Sequence, residues 1–328
     1  MSGDVPSGAH GTWTHHAALY DDDAGFLEMA LPFVTGGLAA GDPVLAVTTP
    51  ANLDLLREHL GADADRIDYA DSVYFGRRPP QRVAAFERYW RRHAGRCAPG
   101  SGRRVRVLAE PIWSGRSARE VAAWKRMEAG LNVVLAGTRM WMVCPYDTRV
   151  TAGHIADDAL RTHPGHAVGA RYEPSPDFTD PHAFARALDE ETVPSAPPDD
   201  AARVDGAGLS GLRAFARARA QACGLGADAA AVLVAAVNEA ATYLGAPPAT
   251  AVIWPAGGAI VCEVRTPSTR PPEEGPFAGF RTPDLGHPRP SDGLWYTRQV
   301  TTHVDLRTTR DGPAARIHFP GPRAVEHA

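Results

Sequence analysis

Residues 44–61, VLAVTTPANLDLLREHLG, contain one complete strand–helix unit. The first five, VLAVT, form a continuous β-rich run, which is typical of a strand buried on both faces of a parallel sheet. Residues 52–60 have the spacing of an amphipathic helix, and Gly61 provides its end. This unit predicts an α/β fold.

The same alternation extends in both directions from this unit. Strands are predicted at residues 16–20, 66–69, 105–109 and 139–143, and helical patterns follow them, the last over residues 152–163. Repeated βαβ units predict a parallel-sheet, three-layer α/β domain. Ligands bind such sheets beyond the carboxyl ends of the strands. That rule selects Tyr20, Thr48-Thr49, Asp71, Glu110 and Tyr146-Asp147.

The second half of the chain follows a different order. Two helices are predicted at 210–223 and 227–244, then a hairpin, a long Pro/Gly-rich loop, a short helix and a last hairpin. Helices beside an antiparallel or mixed sheet form a two-layer α/β sandwich. The Pro- and acid-rich run PSAPPDD (194–200) indicates a linker. The predicted organisation is a flexible N-terminus (1–11), a first domain (12–190), a linker (191–206) and a second domain (207–328).

Composition excludes several classes of protein. The chain has 328 residues, 44% of them hydrophobic, and a net charge of −4, which argues against whole-chain disorder and against sequence-independent nucleic-acid binding. Its apolar runs are much shorter than the ~20 residues that span a bilayer. Residues 1–11 lack the features of a signal peptide. We therefore expect a cytoplasmic protein without membrane contact, whose four cysteines are packing residues.

Glu110 is the most informative polar residue of the first half. It ends a predicted buried strand, before Pro111, and Trp113 could form an aromatic wall beside it. Two alternatives stay open: Glu110 caps the helix that begins at Ser117, or it pairs with an arginine. No phosphate-binding loop with its glycines and lysine follows the second strand.

The histidines fit no common zinc pattern. His15 and His16 are adjacent in a predicted strand, so they point to opposite faces and cannot easily share one ion, even with His10 nearby. We expect one inward histidine, satisfied by a neighbour, and one in solvent. His163 is expected at a solvated helix end with His154 and His166. No metal site and no catalytic residue is predicted.

Motifs across residues 12–165 resemble the MEDS sensory domain, named after methanogens, methylotrophs and a dichloromethane-responsive regulator. They are HHAALY (15–20), LPF (31–33), GDPV (41–44), EPIW (110–113) and CPYD (144–147). The resemblance implies a fold related to RecA-like ATPases without the phosphate loop. It also implies a small hydrocarbon-derived ligand at the strand ends. The candidate ligand-binding residues are His16, Tyr20, Glu110, Trp113, Tyr146 and Asp147.

Residues 207–320 resemble the histidine-kinase-like ATPase (GHKL, or Bergerat) domain of anti-sigma factors. The matching motifs are NEAATY (238–243), CEVR (262–265) and GLW (293–295). A MEDS domain followed by this domain is a common arrangement in actinobacterial regulators. The implied nucleotide pocket comprises Asn238, Glu239, Tyr243, Thr266, Gly293 and Trp295.

The second resemblance is incomplete at the positions that bind nucleotide. Tyr243 stands at the Mg²⁺-binding asparagine, Thr266 at the adenine-binding aspartate, Ser268 at a glycine, and Ser291-Asp292 before Gly293 in the last glycine box. A phenol cannot coordinate Mg²⁺ as an amide carbonyl does. We therefore expect a degenerate domain without cofactor, in which Glu239 pairs with an arginine and Tyr243 fills the vacated pocket.

The expected function is a sensory regulator. Its first domain senses a small ligand, and its second binds a protein, a sigma factor or an anti-sigma antagonist. The alternative is an active kinase that transfers phosphate from ATP, with Mg²⁺, to a serine or threonine of such an antagonist. A third possibility is an enzyme that acts through Glu110 and His16.

Overall fold

The structure is a computed structural model that describes residues 13–192, 194–245, 248–267, 274–309 and 312–322. The predicted flexible N-terminus (1–11), with His10, and Ser268 lie outside the described residues. The chain divides into two compact units after Thr192. In the described ranges, no helix has both the length and the apolar character needed to cross a membrane.

The first unit is built on a seven-stranded sheet with the order β3-β2-β4-β5-β1-β6-β7. Neighbouring strands are parallel except for the last pair, β6 and β7, which is antiparallel. The strands are β1 (Thr14–Tyr20), β2 (Val44–Thr48), β3 (Asp68–Asp71), β4 (Val105–Ala109), β5 (Met140–Asp147), β6 (Gly165–Val168) and β7 (Arg171–Pro174).

Helices cover both faces of this sheet. They are α1 (Asp23–Ala40), α2 (Pro50–Leu60), α3 (Pro79–His93), α4 (Ala118–Val134), α5 (Gly153–Thr162) and α6 (Pro181–Glu191). The connections after β1 and β2 run towards the β3 edge, whereas those after β3, β4 and β5 run the other way. Because parallel crossovers are right-handed, α1 and α2 cover one face and α3, α4 and α5 the other.

Local sequence sets several helix ends. The Asp22 side chain accepts a hydrogen bond from the Gly25 amide and caps α1, while Gly41 ends that helix with a φ of 70°. Ser117 and Glu120 form a capping box at the start of α4. α4 is thereby anchored at the turn that follows Glu110.

The second unit pairs an antiparallel sheet with helices. The sheet order is β11-β12-β10-β9-β8. Its strands are β8 (Ala202–Ala207), β9 (Ala249–Ala256), β10 (Ala259–Arg265), β11 (His303–Thr309) and β12 (Gly312–Pro320). The helices α7 (Leu209–Ala222), α8 (Ala227–Tyr243) and α9 (Asp292–Val300) share an apolar core with this sheet.

The predicted fold class is confirmed: a mainly parallel three-layer α/β unit and a separate antiparallel two-layer unit. Two details differ. Residues 202–206, predicted as linker, belong to the edge strand β8, and β5 continues through Pro145 to Asp147. The β4–β5 pairing ends at Leu108↔Val143, so Pro145 has a partner strand on one side only, where a missing N–H is tolerated.

Candidate functional site

A buried carboxylate lies at the carboxyl ends of three parallel strands. Glu110 directly follows β4, Thr48 ends β2 and Tyr20 ends β1, while Asn52 lies in the first turn of α2. All four face the side covered by α1 and α2 and are at most 5% exposed. We call these four residues the Glu110 cluster. It lies where the connections after β2 and β4 diverge, which is the usual ligand position in open α/β sheets.

Hydrogen bonds satisfy both oxygens of the Glu110 carboxylate. The Tyr20 hydroxyl donates to Oε1 at 2.9 Å, and the Thr48 hydroxyl donates to Oε2. The Asn52 amide nitrogen lies 3.0 Å from Oε2 and 2.9 Å from the Tyr20 hydroxyl. Among the described residues, no cation forms an ion pair with this carboxylate.

The backbone carbonyl of Glu110 is held separately from its side chain. It accepts hydrogen bonds from the Ser72 hydroxyl and from Nη2 of Arg82, the latter at 2.9 Å. Arg82 is 1% exposed and also donates to the Phe75 carbonyl. Neither alternative for Glu110 describes its contacts, since Ser117 and Glu120 cap α4 and Arg82 binds the carbonyl.

Tyr20 is covered on its outer side by an ion pair. Burial, and then the Glu110 carboxylate, raise the pKa of Tyr20, so it remains a neutral hydrogen-bond donor. The Arg149 guanidinium lies 5.7 Å from the centre of the Tyr20 ring. Asp147 accepts two hydrogen bonds from this guanidinium, each of 2.8 Å. Asp147 is therefore linked to the Glu110 cluster through Arg149, which lies on the solvent side of the Tyr20 ring.

The structure does not bring the other predicted ligand residues to this cluster. Trp113 and Tyr146 stack at 6.2 Å on the side of the sheet that α4 covers. His16 lies four residues before Tyr20, about 13 Å away along the strand. It is half-buried rather than in solvent, accepts a 2.9 Å hydrogen bond from the Trp141 indole and packs on Tyr172. Strand alternation places Tyr146 on the other face of the sheet, whereas His16 shares the face of Tyr20 and is separated from it by the length of the strand.

A second polar group is buried on the opposite face of β1 and β5. It consists of His15 on β1, Glu128 on α4, Cys144 on β5 and His163 directly after α5, and we call it the His–Cys–Glu cluster. All four residues are at most 2% exposed. The expectation that His163 lies at a solvated helix end is therefore wrong, and Cys144 is more than a packing residue.

Burial dominates the protonation of the His–Cys–Glu cluster. It lowers the pKa of His163 to about 3 and that of His15 well below 6.5. It raises the pKa of Glu128 to about 7, against the opposing effect of Arg82, and raises that of the Cys144 thiol. Burial thus favours the neutral form of each side chain.

No sequence signal used above identifies this second cluster. Its members are widely separated in the chain, and each alone has an ordinary explanation as a core residue. One clue is available: His15 and Cys144 lie on two neighbouring strands, β1 and β5, at positions that alternation places on the same buried face. Their register, His15↔Met142 and Ala17↔Cys144, is known only from the structure.

In the second unit, α8 and α9 bring together two of the predicted pocket residues. A Cβ on Gly293 would lie 1.9 Å from Oε2 of Glu239, so any side chain at this position would displace the carboxylate. Arg213 donates to Asn238, which in turn donates to Oε1 of Glu239 at 3.2 Å. The expected arginine partner therefore binds Asn238 instead of Glu239.

The remaining three pocket residues are buried or partly buried within the second unit. The Tyr243 hydroxyl donates to the Gly275 carbonyl at 3.4 Å. The Thr266 hydroxyl donates to the Leu244 carbonyl at 2.8 Å, at the end of α8. The Trp295 ring packs edge-on against Tyr296, with 5.0 Å between ring centres. Tyr243 and Thr266 thus bond to the protein's own backbone.

Residues 14–164 match a sequence-family model. Its description is MEDS: MEthanogen/methylotroph, DcmR Sensory domain. The match includes every residue of the Glu110 and His–Cys–Glu clusters. It supports a sensory domain in the first unit and suggests a signalling or regulatory role for the protein. No curated protein and no solved structure matches the chain.

The MEDS resemblance is thus confirmed over the matched residues. The comparisons do not bear on the ATPase-like resemblance of the second unit, which stays a prediction.

Proposed function

We propose that this protein is a sensory regulator whose first unit binds a small hydrogen-bonding molecule at the Glu110 cluster. One observation carries the proposal: a buried carboxylate, with no ion-pair partner in the part of the chain that the structure describes, lies at the carboxyl ends of β1, β2 and β4. Its hydrogen bonds come from hydroxyl and amide groups, which a ligand can replace one by one. The MEDS match supports a sensory role for the same unit.

The chemistry of the cluster favours a particular class of ligand. Glu110 can accept a hydrogen bond from an alcohol or a protonated amine, while Tyr20 offers an aromatic ring. An anion would be repelled by the carboxylate, which makes carboxylic acids poor candidates. The cluster is nearly inaccessible to solvent, so binding requires the Asp147–Arg149 pair to move away from Tyr20.

We further propose that the second unit acts by binding a protein, a sigma factor or an anti-sigma antagonist, rather than by hydrolysing ATP. The Tyr243 and Thr266 hydroxyls donate their protons to backbone carbonyls, so neither is free to donate to a nucleotide. Glu239 lies beside Gly293, at the amino end of α9. That end already carries Asp292 in its first turn, so a phosphate there would meet two carboxylates.

Calorimetric titration of the full chain with methylammonium and with methanol tests the ligand class. We expect heat of binding for at least one of them, at least tenfold weaker binding in Glu110→Gln, and no binding of acetate. Glu58→Gln, on the exposed side of α2, is the matched control and keeps wild-type binding. Equal binding by Glu110→Gln and wild type would contradict the proposed site.

A titration of the same protein with Mg-ATP separates the regulator from the kinase. The proposal expects no binding at micromolar nucleotide concentrations. Micromolar binding that is lost in Glu239→Gln would instead support the active kinase.

A further inference from the structure

The His–Cys–Glu cluster presents four metal-ligating atoms to one point. The Cys144 sulfur lies 3.4 Å from Nε2 of His15 and 3.9 Å from Oε2 of Glu128. Each histidine Nε2 lies 3.8 Å from that same Oε2, and all four ligand atoms are within 4.8 Å of one another. Four separate elements supply them, so the tertiary fold alone brings them together.

Hydrogen bonds determine which nitrogen of each ring faces the cluster with a lone pair. Nδ1 of His163 lies 2.7 Å from the Ala159 carbonyl, which can only accept, so Nδ1 carries the proton. Nδ1 of His15 donates to Oδ1 of Asn132 at 3.1 Å. The Asn132 nitrogen donates to the Thr162 carbonyl, which fixes the direction of that amide. Both Nε2 atoms therefore face the cluster without a proton.

One acceptor of the cluster has no donor. Nε2 of His163 is buried without a hydrogen-bond partner among the described residues, while the Cys144 thiol lies against His15 and Glu128. An unsatisfied buried acceptor is costly, whereas a cation at the centre would satisfy all four groups at once. Histidines that bind metals usually donate their other ring nitrogen to a carbonyl or amide oxygen, as both do here.

We propose that the first unit binds one zinc ion through the four side chains of the His–Cys–Glu cluster. Zinc takes nitrogen, sulfur and oxygen ligands in tetrahedral geometry, which places neighbouring ligand atoms about 3.3–3.6 Å apart. Four of the six separations, 3.4–3.9 Å, are near these values, and no pair of ligand atoms is more than 4.8 Å apart. Binding would draw the more distant pairs together by about 1 Å. Thiolate and carboxylate together balance the charge of the dication, which suits a buried position.

Four protein ligands leave no open position, which is typical of structural rather than catalytic zinc. The ion would join β1, β5, α4 and the end of α5, on the face of the sheet opposite the Glu110 cluster. This role is independent of the proposed ligand, because the two clusters lie on opposite faces of the sheet.

Metal analysis of the untagged full chain, purified from zinc-supplemented medium, tests the proposal. We expect about one zinc per chain, as for a closed four-ligand site. Replacing it with Co²⁺ should produce thiolate-to-cobalt charge-transfer absorption together with d–d bands of tetrahedral intensity. The absorption should disappear in Cys144→Ser and persist in Cys97→Ser and Cys262→Ser, which remove other buried cysteines.

His163→Gln and Glu128→Gln replace a ligating group with an amide but nearly keep the size of the side chain. They therefore test the site without the loss of folding that a larger change could cause. Circular dichroism confirms their fold, and competition with a chelator should show at least tenfold weaker zinc binding in each. A chain that contains almost no zinc and shows no cobalt charge transfer would overturn the proposal. Zinc retained in the Cys144→Ser, His163→Gln double variant would also overturn it, since the ion would then lie elsewhere. Another metal in place of zinc would overturn the zinc assignment.

Discussion

The two faces of the first unit's sheet each bury a polar cluster, but the clusters differ in their balance of hydrogen-bond donors and acceptors. At the Glu110 cluster, two hydroxyls and one amide match a carboxylate, so the group is satisfied by its own members. At the His–Cys–Glu cluster, Nε2 of His163 has no hydrogen-bond partner among the described residues. A balanced cluster can exchange its own contacts for those of a transient ligand, whereas a cluster with an unsatisfied lone pair is suited to the resident cation that we propose.

Removal of zinc should have the largest effect on stability. If free zinc exceeds its dissociation constant about 1000-fold, the bound ion contributes about 4 kcal/mol to the free energy of unfolding. Urea unfolding monitored by tryptophan fluorescence, with and without a chelator, measures this difference. Cys144→Ser should show no chelator effect. A wild-type curve unchanged by the chelator would remove the distinction between the two clusters.

Glu110→Leu should have the next largest effect. The substitution leaves the Tyr20 and Thr48 hydroxyls and the Asn52 amide without their common acceptor, and we expect a loss of about 3 kcal/mol. Equilibrium unfolding against the exposed control Glu58→Gln measures it. A loss below about 1 kcal/mol would mean that these donors find other partners, and the cluster would not be balanced as described.

Arg149→Gln should have the smallest effect on stability. Its side chain is 44% exposed, and its pair with Asp147 lies at the surface, so the unfolding midpoint should not change. The variant should, however, uncover the Tyr20 ring. Hydroxyl-radical footprinting should therefore show faster oxidation of Tyr20 than in wild type. The control, Arg66→Gln, removes a comparable exposed pair with Asp63. Equal Tyr20 oxidation in all three proteins would show that Arg149 does not cover the cluster.

The strands and helices of the first unit were largely predictable, because continuous apolar runs and amphipathic spacing are local signals. The same signals were weak for β8, where ARVDGA contains glycine, arginine and aspartate and lies at a sheet edge. The short hairpin of β6 and β7 carried no recognisable turn motif and was not predicted.

Part of the Glu110 cluster was also predictable. The strand-end rule selected Tyr20, Thr48 and Glu110, which the structure brings into contact, but it missed Asn52 on α2. It also selected Tyr146, and Trp113 was added as an aromatic wall beside Glu110, although both face the other side of the sheet. A strand-end rule has no information about the face, because the alternation of side chains depends on the register of each strand.

The sequence by itself determined the alternation of strands and helices, the two-part architecture and the position of Glu110 at a strand end. These properties depend on residues close together in the chain, whose periodicity and turn-forming preferences act locally. Only the tertiary structure decided that His15, Glu128, Cys144 and His163 meet. Their contact depends on the order and register of the strands and on the face that each helix covers. Right-handed crossovers fix that face, and all of these features involve residues far apart in the chain.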